Sequence, residues 1–287
     1  MGLLAKLQNV DRRILYVLTA LVISVPLLMK PARHPHVIFA EVRNAYKTID
    51  SVPDDKIVLV STIWGAGTAA ENGPQTEALM RHMFTKGIKF VVLSWDPTGT
   101  ELSYQIGAKL EKELGKEYGV DWAHLGYRVP QLLQVISGLS EDFQKQLKQD
   151  RFNTPLDRMP VTRNVKNYKQ IGTLVEITPS GTLEVWIAYL TMPKKIPLVF
   201  CPTAVMAAEA YPYIDSGQVR GMLNGVIGAA QYETLIGQEN ERTYAAAAAW
   251  ALSAAHIFII LLVVLGNLGY LAAKRMAERE GRATRGG

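Results

Sequence analysis

The sequence predicts an α/β protein, with a doubly wound, mostly parallel, Rossmann-like sheet domain between two transmembrane helices. Ala245 to Ala273 is a run of 29 residues without Asp, Glu, Lys or Arg, and Ile14 to Met29 is a second uncharged run of 16. Between these runs, short β-branched segments alternate with segments of helical periodicity. That alternation is the pattern of parallel strands joined by helical crossovers.

The two apolar runs are each long enough to suggest a membrane span. The longer run exceeds the roughly 20 apolar residues that a helix needs to cross a bilayer. The shorter run also fits a secretory signal core, but the residues after it, Lys30 to Pro35, offer no small-x-small cleavage site. We therefore expect an uncleaved anchor at 14–29 and a second span at 245–273. A buried core helix is the alternative, and it fits only the shorter run.

Basic residues around the two spans predict the orientation of the chain. Cytoplasmic flanks carry the excess of Lys and Arg, and such residues nearly balance around the first span. Residues 1–13 and 274–287 are therefore predicted to be cytoplasmic tails of a two-pass protein in the cell (inner) membrane. The linker and lead-in helix at 30–55 and the α/β domain at 56–238 would be extracytoplasmic, or periplasmic. Only Arg242 closely precedes the second span, and the basic residues that follow it are Lys274, Arg275, Arg279, Arg282 and Arg285.

The first half of the domain alternates strands and helices. Lys56 to Ile63 is an apolar run typical of a strand buried on both faces. After a loop, a helix is expected from Pro74, a favoured first helical residue, to a glycine cap at Gly87. The other elements are a helix from Val37 to Asp50, a strand at 89–95, a loop at 96–100, a helix at 101–118, a weaker strand at 120–127 and a helical stretch at 130–149, divided near Gly138.

The second half continues the alternation after residues 150–169, which we interpret as a surface excursion. Leu183, Trp186, Ile187 and Leu190 form a helical stripe, although the same segment also alternates like a hairpin. Because parallel strands need a crossover, the helix is favoured. Six strands give the order 3-2-1-4-5-6, with a flavodoxin-like five-strand sheet as the alternative. The remaining elements are strands at 173–177, 196–201 and 218–223, a helix at 204–214 capped by Thr203, and a helix at 225–236.

Doubly wound sheets bind ligands beyond the carboxyl ends of their strands, at the switch point between the first and fourth strands. Gly65-x-Gly67 and the later Asp96 partly match a dinucleotide fingerprint, but Asp96 lies 29 residues after Gly67 rather than about 20. A small anion bound at helix N-termini is a second hypothesis, and helix capping is the structural alternative. The candidate ligand-binding residues are Gly65, Gly67, Thr68, Asp96, Thr98, Thr100, Thr178, Ser180 and Thr203, with Asn72 as a further donor.

Catalytic residues are not evident, so the sequence leans towards a protein that is not an enzyme. The topology places no histidine near Ser94 or Ser180, and the five histidines lack metal-ligand spacing. Neither a metal nor a cofactor is expected. Glu176 interrupts an apolar strand and is expected to pair with a neighbouring Lys or Arg or to be exposed at an edge. The single cysteine, Cys201, is interpreted as a buried, inert thiol.

Small residues on the second span predict a helix–helix interface, because they allow helices to approach closely in lipid. The expected partners are the lipid bilayer and either other membrane subunits or further copies of the chain. Nucleic acid is not expected, since no basic cluster with interleaved aromatics occurs in the domain. We predict an accessory or scaffold subunit of a membrane assembly, with a ligand-binding or sensing domain as the alternative and a hydrolase or transferase least favoured. The interface residues are Ala247, Ala251, Ala255, Gly266 and Gly269.

Overall fold

The structure, a computed structural model, describes residues 10–32, 37–128 and 132–283, with side chains as far as residue 275. The chain divides into two compact units, one of them Arg33–Glu241 and the other composed of Met1–Ala32 and Arg242–Gly287. Some predictions lie outside the described residues. These are the first nine residues of the N-terminal tail, linker residues 33–36, the expected helix start at Pro130, and Arg285 in the basic tail.

The α/β unit alternates strands and helices in the predicted order, and the terminal unit contributes the first and last helices. In chain order the elements are α1 (Arg12–Met29), α2 (Ala40–Asp50), β1 (Ile57–Thr62), α3 (Ala69–Lys86), β2 (Phe90–Ser94), α4 (Pro97–Leu114), β3 (Trp122–Tyr127), α5 (Leu132–Glu141), α6 (Phe143–Leu147), β4 (Ile171–Thr178), α7 (Leu183–Trp186), α8 (Met192–Lys194), β5 (Leu198–Pro202), α9 (Tyr211–Asp215), β6 (Gly221–Met222), α10 (Gly225–Leu235) and α11 (Tyr244–Ala283).

The sheet has six parallel strands in the order β3-β2-β1-β4-β5-β6, as predicted, which rules out the flavodoxin-like order. Helices cover both faces. One core layer contains residues of α2, α3, α4 and α10, and the other contains residues of α5, α6 and α7 and of the segment between β5 and β6. Every residue of β1 and β2 is buried, which explains their unbroken apolar runs.

Two helices begin earlier than predicted because local and tertiary contacts stabilise their first turns. α3 begins at Ala69 and continues through Pro74, which was expected to start it. α4 begins at Pro97 rather than at residue 101, because Asp96 caps it and proline suits the first helical position. The residues interpreted as a loop after β2 are therefore the first turn of a helix.

Residues 150–169 are not a surface excursion, because four of their apolar side chains belong to the core. Two 3₁₀ turns and a loop with many hydrogen bonds pack this segment into the core layer that contains α5, α6 and α7. The predicted division of the preceding helix also moves from Gly138 to Asp142, whose side chain caps α6. The buried side chains are Leu156, Met159, Val161 and Val165.

The connection from β4 to β5 is helical, as favoured over a hairpin. A π-helical turn, Ile187–Thr191, joins α7 to α8, and the four residues of the predicted apolar stripe are all buried. The helix predicted at 204–214 is mostly replaced by a 3₁₀ turn and the short α9, while β6 shrinks to two residues. A Cβ atom on Gly221 would lie 2.2 Å from the backbone nitrogen of Ala45, so α2 packs directly against β6.

In the terminal unit, α1 and α11 contact each other and are both long and apolar enough to cross a membrane. Half-buried residues recur at spacings of three and four along α1, at Leu15, Thr19, Val22 and Pro26. Such a stripe is typical of one helix packed along another. On α11 the residues of lower exposure include Ala251, Phe258, Leu262 and Gly269.

Candidate functional site

The loop after β1 is in contact with the start of α4. Asp96 Oδ1 accepts a hydrogen bond from the backbone N–H of Gly99 at 2.6 Å. A Cβ atom on Gly65 would lie 2.9 Å from the same Oδ1, and one on Gly99 would lie 1.7 Å from the carbonyl oxygen of Trp64. The acid of the partial dinucleotide fingerprint is therefore engaged as a helix cap. A Cβ atom on Gly67 would have no neighbouring atom within 4 Å, so packing within the protein does not require a glycine there.

The predicted donors of an anion site have different surroundings. The Thr100 hydroxyl donates to the backbone oxygen of Asp96 at 2.7 Å, while Thr98 is exposed. The Thr68 hydroxyl oxygen is buried without a hydrogen-bond partner among the described residues. Asn72 lies inside α3 instead of before it. These four side chains therefore have different surroundings, and the anion site stays a prediction.

A buried amide network that the sequence analysis missed connects α3 to the ends of two strands. The Gln75 Nε2 atom donates at 2.8 Å to the carbonyls of both Pro202 and Leu223. Its Oε1 then faces Asn72, whose Nδ2 donates to it at 2.8 Å. Glu71 adds a bond from the Ala204 N–H to its Oε2 at 2.8 Å. The polar residues around Pro74 are the only signal of this network in the sequence.

A pocket of about 500 Å³ opens at the carboxyl ends of β4 and β5. Of the predicted ligand-binding residues, Ser180 alone lines it. The Thr178 hydroxyl lies 2.8 Å from the Ser180 hydroxyl and accepts the Ser180 N–H, so Thr178 positions this edge. Thr203 is buried outside the lining, with its carbonyl bonded to the N–H of Met206. The lining residues are Ser180, Gly181, Leu183, Glu184, Phe200, Met206, Glu209, Pro212 and Tyr213.

Glu176 lies behind this pocket and differs from expectation, since it is fully buried and forms no pair with a Lys or Arg among the described residues. Burial raises its pKa to about 8, against the opposing effects of the Thr182 hydroxyl and the Trp186 indole. The Thr182 hydroxyl donates to Oε1, and the other oxygen, Oε2, lacks a partner of regular hydrogen-bond geometry in the described chain. Glu176 is therefore a largely neutral acid at pH 7.

The buried histidines are engaged in structural bonds. His124 Nδ1 accepts the Gly126 N–H at 3.0 Å, so Nε2 carries the proton and donates to the Ser103 hydroxyl at 3.0 Å. Ser103 in turn donates to the carbonyl of Gly99 at 2.6 Å. Because this tautomer cannot accept the serine proton, the pair is not an activated nucleophile. Burial lowers the pKa of His124 to about 3, which keeps the ring neutral.

The other buried histidine, His82, joins three helices. Its Nδ1 lies 2.7 Å from the Tyr232 hydroxyl, its Nε2 lies 3.2 Å from Asp50 Oδ1, and Tyr46 stacks on the ring at 4.5 Å. Burial lowers its pKa. Cys201 is buried, and burial raises the pKa of its thiol. Within the described ranges, no group of three or more His, Cys, Asp or Glu side chains could hold a metal ion.

The predicted interface residues on α11 differ in exposure. Ala247, Ala251 and Gly269 are buried, Ala255 is half-buried, and Gly266 is exposed beside the exposed Asn267. A single helix face therefore does not present all five residues to a new partner.

No family model matches this chain, and neither the curated proteins nor the solved structures contain a match to it. The fold defines a class, a doubly wound parallel α/β protein with apolar terminal helices.

Proposed function

We propose that the chain is a two-span membrane protein whose α/β domain serves as an accessory or scaffold subunit of a membrane assembly. The exposed apolar surface of α1 and α11 carries this proposal. Between Ile257 and Leu271 most large apolar side chains are exposed, and α1 exposes others from Ile14 to Met29. Soluble monomers rarely expose contiguous apolar patches above a few hundred Å². A bilayer would cover this surface.

Helix length and polar bonding agree with insertion into a bilayer. The 18 residues of α1 extend about 27 Å, close to the roughly 30 Å hydrocarbon layer. The uncharged run of α11, Ala245 to Ala273, extends about 44 Å and exceeds that layer. Three polar side chains of these helices, Thr19, Ser253 and Asn267, donate to the carbonyl four residues earlier. Such bonds reduce the cost of polar groups in lipid.

The orientation and the partners follow from charge and exposure. The basic residues after α11 favour a cytoplasmic C-terminus. Two spans would then place both tails in the cytoplasm and the α/β domain on the extracytoplasmic side of the cell membrane. Gly266 and Asn267 lie exposed within α11, where a small and a polar residue suit contact with another helix. Other membrane subunits or a second copy are the proposed partners.

The test is the native mass of the full-length protein after extraction into lipid nanodiscs. We expect resistance to alkaline extraction from membranes and a protein mass well above the 31.7 kDa of one chain. Release by alkaline carbonate would overturn the membrane proposal. A membrane-embedded species that is a monomer with no co-purifying subunit would overturn the assembly proposal alone.

The pocket beyond β4 and β5 favours a second function, the binding of a small ligand by the α/β domain. Its volume lies within the roughly 300–1,000 Å³ of small-molecule sites. It lies at the carboxyl edge of the sheet, the edge at which this fold class binds ligands, one strand away from the switch point between β1 and β4. A ligand specific for the folded state would raise the melting temperature of the protein, so a thermal-shift screen of the full-length protein tests this function.

A further inference from the structure

The pocket beyond β4 and β5 has an acidic lining. Two lining side chains, Glu184 and Glu209, are acidic, and the lining contains no Lys, Arg or His. The Tyr213 hydroxyl donates to Glu184 Oε1 at 2.8 Å. Both carboxylates raise the pKa of Tyr213, so both act on the same part of the pocket. An anion entering here would meet two like charges.

The rest of the lining is apolar or aromatic. Phe200, Met206, Leu183 and Pro212 surround the polar groups, together with the ring of Tyr213. Aromatic rings attract cations at their faces, and a pocket of this composition typically buries the apolar body of a ligand while a few polar groups fix its orientation. The lining therefore combines a surface for an apolar body with two acceptors for a positive charge.

A buried acid lies behind the wall of the pocket. Phe200 lies opposite Glu176 in the strand register, and Thr182, which bonds Glu176, lies between the lining residues Gly181 and Leu183. Glu176 is fully buried and forms no pair with a Lys or Arg among the described residues. As a largely neutral acid, it places no positive charge behind the pocket wall that would oppose a bound cation.

We propose that this pocket binds an organic cation, a small amine or quaternary ammonium that carries an apolar portion. Its charged group is held by Glu184 and Glu209, and its apolar portion packs on Phe200, Met206 and the ring of Tyr213. The inference rests on the ligand-binding function proposed above and replaces the small anion that the helix N-termini suggest. It does not depend on membrane assembly.

Three probes that share one body test the charge requirement: 2-phenylethylamine, 2-phenylethanol and phenylacetate, measured against the full-length protein in nanodiscs. Spermidine and tetramethylammonium extend the cation series. We expect 2-phenylethylamine to raise the melting temperature by several degrees in a saturable way, with no saturable effect of the alcohol or the carboxylate. Stabilisation by the alcohol or by phenylacetate instead would overturn the cationic class while leaving ligand binding intact. If none of the five probes shifts the melting temperature, both the cationic class and the ligand-binding function are overturned.

Matched variants separate the pocket from partitioning of the amine into lipid. Glu184→Gln combined with Glu209→Gln removes both charges and is expected to weaken amine binding by about tenfold, because the bound cation loses both of its charge-assisted hydrogen bonds. Glu141→Gln removes one negative charge at an exposed position outside the lining and should bind like the natural protein. Equal amine-dependent shifts in all three proteins would overturn the proposal.

Discussion

Gln75 connects three segments of the domain through one buried amide. Its NH₂ group faces the carbonyls that end β5 and follow β6, and this fixes the orientation of the Asn72 amide as well. A buried carbonyl that loses its donor costs about 1–3 kcal/mol. One side chain on α3 therefore fixes the strand ends at the edge of the sheet where the pocket opens.

The burial of Glu176 makes the stability of the folded protein depend on pH. Its folded pKa, about 8, lies above the ordinary 4.5, so the folded state binds the extra proton between these values. Stability is therefore fully present below about pH 4.5 and is lost as the pH rises through 8, by on the order of 5 kcal/mol. Glu176→Gln remains neutral, so its stability relative to the natural protein should rise steadily between pH 5 and 8.

Melting temperatures of the two proteins at pH 5, 6.5 and 8 measure this difference. Glu184→Gln, a carboxylate-to-amide change at an exposed position, is the control and should show no such trend. A difference between Glu176→Gln and the natural protein that stays constant over this range would contradict the raised pKa.

Among the elements, the start of α4 tolerates no side chain at Gly99, whereas the loop after β1 has room for one at Gly67. Gly99 lies against the backbone carbonyl of Trp64, in the loop after β1, whereas Gly67 has open space around it. Gly99→Ala should destabilise the domain by more than about 3 kcal/mol, because a backbone oxygen blocks the new methyl group and cannot rotate away. Gly67→Ala should change stability by less than about 0.5 kcal/mol. Thermal unfolding compares the two variants, and equal effects would show that the contact at Gly99 is absent.

Gly266 on α11 is the expected contact point for a partner helix. Gly266 is exposed while Ala251 is buried, so a new partner helix would approach Gly266 without disturbing packing inside the chain. Gly266→Leu should reduce the native mass in nanodiscs towards that of one chain and leave the melting temperature of the domain unchanged. Leu261→Ala, at another exposed position of α11, is the control. An unchanged mass of Gly266→Leu would exclude this face as the interface.

At the scale of the whole molecule, the strand order was predictable because each parallel strand is buried on both faces and needs a helical crossover. The pocket was much less predictable. Asp96 and the threonines around it look like ligand donors in sequence, yet helix capping uses the same residue types. Glu184, Glu209 and Tyr213 carry no shared motif. Glu184 lies in the short α7, Glu209 in the 3₁₀ turn Ala207–Ala210 and Tyr213 in the short α9. Elements of four or five residues are too short to show a clear periodicity in the sequence.

Reporter fusions test the orientation of the chain in the membrane. If both tails are cytoplasmic, a reporter that folds only in the cytoplasm will be active when fused after Gly287 and inactive when inserted at Asn153, in the well-bonded loop before the first 3₁₀ turn. A reporter that works only outside the cytoplasm should give the opposite pair of results. Neutralising Lys274, Arg275, Arg279, Arg282 and Arg285 should weaken this asymmetry, because the basic excess directs the orientation. Activity of the cytoplasmic reporter at Asn153 would place the α/β domain inside the cell, where nucleotide cofactors are available, and would restore the dinucleotide hypothesis for the loop at Gly65 and Gly67.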